Sequence, residues 1–183
     1  MKNITFRWPV MILVMLLTFA AIYAINQWHQ QRVVKEPLME KLEQLESVQS
    51  VAVSAAGSDK KVTYIISLSK ADNLPETYRE MEEIMLSTYK KDEYLLLVED
   101  NRNSYLESIY ERVQFALMEG ERTGNYTGMN EEVARLMEKE EDEPAYHLWV
   151  DQNRIYFALS SGPYNLYEII PVRSAADNRG QVY

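Results

Sequence analysis

Between Trp8 and Ile25 the chain runs for 18 residues, WPVMILVMLLTFAAIYAI, without a single charge. A helix that is apolar around its whole circumference has no face to turn to water, and about 20 mostly apolar residues suffice to cross a bilayer's hydrocarbon core. Trp8, Tyr23 and Trp28 stand near the ends of the run, where an amphipathic ring suits the headgroup boundary. Pro9 falls in the first turn, where its missing N–H costs little. The pattern predicts a transmembrane helix over 8–28, after an N-terminal tail over 1–7 and before a polar connector over 29–36. A cleaved signal peptide is the competing expectation. It fits less well, because signal h-regions span about 7 to 15 residues and Ile22 stands where a small residue is preferred. Lys2 and Arg7 on one flank nearly balance Arg32, Lys35 and Lys41 on the other. A short basic tail ordinarily stays in the cytoplasm, which predicts a single-pass, signal-anchored protein of the cell membrane with its folded domain outside.

The remainder is acidic. The chain carries 28 Asp and Glu against 19 Lys and Arg, for a net charge of -9, and no acid precedes the apolar run. Such a body repels phosphate, which excludes nucleic acid as a partner and offers anionic headgroups no second attachment. With no cysteine, disulfides, thiolate nucleophiles and Cys-ligated zinc are all ruled out. Two histidines, His29 and His147, are too few for a histidine metal centre. The acid runs at Glu99-Asp100-Asn101 and Glu138 to Glu143 lack EF-hand spacing. His147 and Asp151 are four residues apart, about 13 Å along a strand, and Ser160-Ser161-Gly162 is no nucleophile elbow. No catalytic, cofactor-binding or metal-binding residue is therefore assigned, and no cofactor is expected.

Residues 37–172 read as one α+β unit. Leu38, Leu42 and Leu45 stripe a short helix after Pro37, and Val51 and Val53 begin a strand. A turn at Gly57 to Lys60 leads to a strand in which Val62, Tyr64, Ile66 and Leu68 alternate with polar residues. Asn73 and Glu76 form a helix-start signature, with Met81, Ile84, Met85 and Tyr89 on one face of the helix that follows. The continuous run Tyr94 to Val98 has the pattern of a strand covered on both faces. Ser104 and Glu107 suggest a second capping box, opening a helix to Gly120 or Gly124. Thr123 to Gly128 reads as a loop, and Asn130 as the cap of a further short helix. Strands at 146–150, 155–159 and 166–170 form a meander, and 173–183 lacks any period.

The α-β-β-α-β order of residues 37 to 102, after one apolar helix, resembles the ring-building modules of secretion systems and sporulation-channel proteins. In that family such modules pack side by side into membrane-associated rings, so the resemblance implies an assembly role through helix and sheet faces. It carries no motif and transfers no functional residue. The same order occurs in ferredoxin-like domains.

Tyr105, Tyr110, Tyr126, Tyr156, Tyr164 and Tyr167 are the candidate partner surface, because tyrosine buries area while keeping a polar tip. The functional expectation is a membrane-anchored, non-enzymatic interaction or assembly protein. Its partners would be the bilayer through 8–28 and another protein or a second copy. The alternative is a membrane-tethered sensor for a small molecule or cation.

Overall fold

The computed structural model describes residues 7–29, 36–54, 61–69, 72–140 and 142–172. The expected hairpin turn at 57–60 and the C-terminal segment 173–183 lie outside them, as does most of the connector. Helix α1 spans Arg7–His29. Its side chains are described for residues 11–23, and there Met11, Leu13, Leu16, Phe19 and Tyr23 are each more than half exposed, with neighbours on every side of the helix equally open. Among the described residues no helix is long and apolar enough to cross a membrane. That finding corrects the expectation of a transmembrane helix over 8–28. The single-pass, signal-anchor reading and the cell-membrane location are set aside with it. Trp8 and Trp28 have side chains outside the described residues, whereas Tyr23 is exposed on α1.

The remainder is α+β. In chain order it comprises α2 (Glu36–Glu43), β1 (Val48–Ser54), β2 (Val62–Leu68), α3 (Leu74–Leu86), β3 (Tyr94–Glu99), α4 (Ser104–Thr123), α5 (Tyr126–Met137), β4 (Ala145–Val150), β5 (Arg154–Ser161) and β6 (Tyr164–Pro171). Strands β1, β2 and β3 form one sheet in that order, β1 antiparallel and β3 parallel to β2. Strands β4, β5 and β6 form a second, wholly antiparallel sheet, the expected meander.

Period decides which residues go inside. On β2 the alternation sends Tyr64, Ile66 and Leu68 inward, where they meet Leu38 and Leu42 of α2 and Met81 and Met85 of α3. Asn73 caps α3 through a 3.4 Å bond from the Glu76 N–H, while its own amide donates to the Glu76 carboxylate at 2.8 Å. The same core takes in Tyr156, Ala158 and Tyr167 from the second sheet, so α3 lies between the two sheets. On the opposite face of β5, Ile155, Phe157 and Leu159 pack against Leu106, Ile109, Val113 and Leu117 of α4 and Met129, Val133 and Met137 of α5. The layers run sheet, helices, sheet, helices.

Two boundaries differ from the sequence reading. Helix α4 starts from Asn103, whose side chain accepts the Leu106 N–H at 2.9 Å, one residue before the expected cap. The segment 123–128 is a two-residue corner rather than a loop. Gly124 adopts φ 71°, returning its N–H to the Gly120 carbonyl, and Asn125 caps α5 by accepting the Gly128 N–H at 3.1 Å. Helices α4 and α5 therefore pack antiparallel at close range, with Gly120 against Met129. A Cβ at Gly120 would lie 2.5 Å from the Met129 sulfur and 2.8 Å from its Cβ. Gly120→Ala is accordingly expected to destabilise by about 1–3 kcal/mol although alanine is the better helix former, and chemical denaturation would register it as a lowered midpoint.

Candidate interaction surface

Alternation along the first sheet leaves a second face. Register sets Ala52 beside Ile65 and Ile65 beside Leu97, with Ser54, Thr63 and Leu95 forming the next row and Ser50, Ser67 and Glu99 the row beyond. Helices α2 and α3 cover the opposite side, and no described element covers this one. Leu95 and Leu97 are each 45% exposed, next to a half-buried Ile65. The sequence reading treated Tyr94 to Val98 as covered on both faces and so missed this surface. A signal was present in Thr63 and Ser67, hydroxyl residues on the paired strand that a buried face would not carry.

The C-terminal end of β3 is clasped to the second sheet. Asp100 accepts from Arg102 Nε at 2.9 Å and from the Tyr167 N–H at 3.2 Å. Arg102 also pairs with Glu107 at 3.1 Å and lies over the Tyr110 ring at 5.5 Å. The Asp100 hydrogen bond, with Glu107 adding to it against the cost of burial, raises the Arg102 pKa and keeps the guanidinium charged. Asn101 donates to the Pro163 carbonyl at 2.8 Å and accepts the Asn165 N–H at 2.7 Å. Asp100 and Asn101 of the run at 99–101 are thus spent on joining the sheets, and Glu140 of the other run pairs with Arg112 at 2.7 Å. Among the described residues no group of three or more His, Cys, Asp or Glu could hold a metal ion.

Glu168, beside this clasp, has its pKa raised because burial outweighs the pull of Arg102 and the Tyr110 hydroxyl. The same burial, with Glu168 adjacent, pushes Tyr110 up to about 12. A carboxyl that holds its proton more tightly when folded loses stability as pH rises from the ordinary value of 4.5 through the raised one. Glu168→Gln should lack that decline, so its stability relative to the unsubstituted chain should grow across this window. Thermal unfolding at stepped pH reads the difference.

The six candidate tyrosines do not converge. Tyr156 and Tyr167 are core residues on the α3 side of the second sheet, whereas Tyr105, Tyr110 and Tyr126 are half-buried on its α4–α5 side. Tyr164 is exposed at the β5–β6 turn. Phe115 and Met118, which the sequence reading did not single out, stand exposed on α4, and Phe115 lines a groove of about 330 Å³ with Arg112, Leu136 and Glu132. A second, polar cleft of about 520 Å³ lies where the sheets meet, lined by Gln49, Ser67, Ser69, Glu99 and Asn165. No protein-family model, curated protein or solved structure matches the chain.

Proposed function

We propose that the chain is a non-enzymatic protein-interaction module whose contact surface is the open face of the first sheet. One observation carries the reading: Leu95 and Leu97 lie nearly half exposed on a sheet whose other side is fully packed. Contiguous apolar surface of this kind on a folded domain marks a place where another surface fits. The α-β-β-α-β order of residues 36–99 agrees with the assembly role that the family resemblance implies. The sensor alternative has less behind it, since Asp100 of the polar cleft is already bonded to Arg102 and leaves Glu99 as the one carboxylate of the cleft's lining open to a ligand.

A cysteine-free chain allows a clean test. Leu97→Cys, tagged in the full chain with a photoactivatable maleimide in cells that make it, is expected to give a discrete protein adduct. Ser108→Cys, exposed on α4, is expected to give none. Equal adducts at both positions, or none at Leu97→Cys, would reject the surface.

A further inference from the structure

The open face ends at an open edge. Strand β3 pairs with β2 along one side, and among the described residues its outward N–H and C=O groups have no strand partner on the other, which leaves them for a further strand. Edges are usually blunted by proline, a bulge, or a lysine set within the strand. Tyr94 to Val98 has none of these. Unpaired backbone groups of this kind are matched by an extended segment and not by a helix, which satisfies its own.

The side chains narrow the choice. Alternation places Glu93, Leu95, Leu97 and Glu99 on the exposed face, acid at both ends and leucine between. Glu93 continues the ladder, its carbonyl accepting the Val62 N–H at 3.0 Å. Both carboxylates are exposed, Glu93 accepting one bond from the Lys90 N–H at 3.0 Å and Glu99 one from Ser67. A second copy of β3 laid antiparallel so that Leu95 meets Leu97 would set Glu93 against Glu99 at each end. Like charges directly opposite are destabilising, and two chains of net charge -9 add to the repulsion. An added strand that reads basic, x, apolar, x, apolar, x, basic meets every one of these positions favourably. The acid-leucine-leucine-acid pattern is palindromic, so it accepts such a strand in either direction.

We propose that the free edge of β3 binds an extended segment of another protein, with two alternating apolar residues flanked by lysine or arginine, by strand addition to the first sheet. This rests on the interaction-module reading and specifies the chemistry of its partner.

The test uses the full chain, kept in solution by a non-ionic detergent that covers residues 11–23, and fluorescein-labelled heptapeptides followed by anisotropy at low salt. KTVTVTK is expected to bind about tenfold more tightly than ETVTVTE, given the two reversed charge pairs. KTVPVTK, with a proline at its centre, is expected not to bind. The doubly substituted chain Glu93→Lys with Glu99→Lys should reverse the order and prefer ETVTVTE, a gain that a misfolded variant cannot produce. Equal binding of all three peptides, binding of none, or an unreversed preference in the double variant would overturn the proposal. An adduct at Leu97→Cys together with no peptide binding would reject strand addition alone and leave the interaction surface standing. Self-association of the chain that excludes KTVTVTK would assign the edge to a second copy and overturn the proposal.

Discussion

Phe157→Ala is expected to lower stability by about 3–5 kcal/mol, read as a fall in Tm of roughly 10–15 °C. Phe157 is fully enclosed between Ile155 and Leu159 on the face of β5 that meets α4 and α5. Truncation removes the ring's transfer energy and leaves a void walled on one side by sheet backbone, which cannot collapse into it. The loss should not stay local. Its immediate neighbours Tyr156 and Ala158 belong to the other core, with α3 and the first sheet. Because one strand supplies both cores, unfolding should remain a single transition, with near- and far-ultraviolet circular dichroism melting together. Two separated transitions would show the halves to be independent.

The second large effect belongs to Arg154. Its guanidinium pairs with Glu82 of α3, one contact measuring 3.0 Å, and lies 4.7 Å over the Tyr78 ring. The two side chains are only 15% and 20% exposed. Burial works against the Arg154 charge, but the Glu82 bond prevails and its pKa rises. Arg154→Met would leave Glu82 desolvated without a partner, at a cost of roughly 2–4 kcal/mol, somewhat below that of a fully buried pair. The double substitution Arg154→Met with Glu82→Met should recover most of this, because it removes both desolvation penalties together. Equal losses in the single and double variants would instead place the effect in the Tyr78 contact.

The meander and the β1–β2 hairpin were legible because their signals are local: period-two alternation, and turn residues at Asp151 to Arg154 and Ser160 to Asn165. The Asn73 cap was legible for the same reason. What failed depended on neighbours distant in sequence. Tyr94 to Val98 and Ile155 to Leu159 are both short apolar runs, and either could be a strand covered twice. Only the fold puts β5 at the centre of its sheet and β3 at an edge. The corner at Gly124 and Asn125 was misread because a glycine-rich string was taken for a loop, when one left-handed residue and one cap sufficed to turn the chain. The tyrosines were chosen by residue type, and type does not say which side of the second sheet a ring will face. The surface now proposed rests on two leucines whose exposure the run from Tyr94 to Val98 could not disclose by itself; only the hydroxyls of Thr63 and Ser67 on the paired strand hinted at it.

The position of α3 between the sheets also has a temporal side. The inner face of α3 closes on the first sheet once Glu99 has been made, but its other face waits for Tyr156 and Ala158. At about 5–20 residues per second, the roughly 60 intervening residues take several seconds to emerge from the ribosome. Over that interval the nascent chain presents Tyr78 and its neighbours uncovered, along with the free edge of β3. A chaperone or an early-binding partner would find the chain most receptive then, before the second sheet arrives.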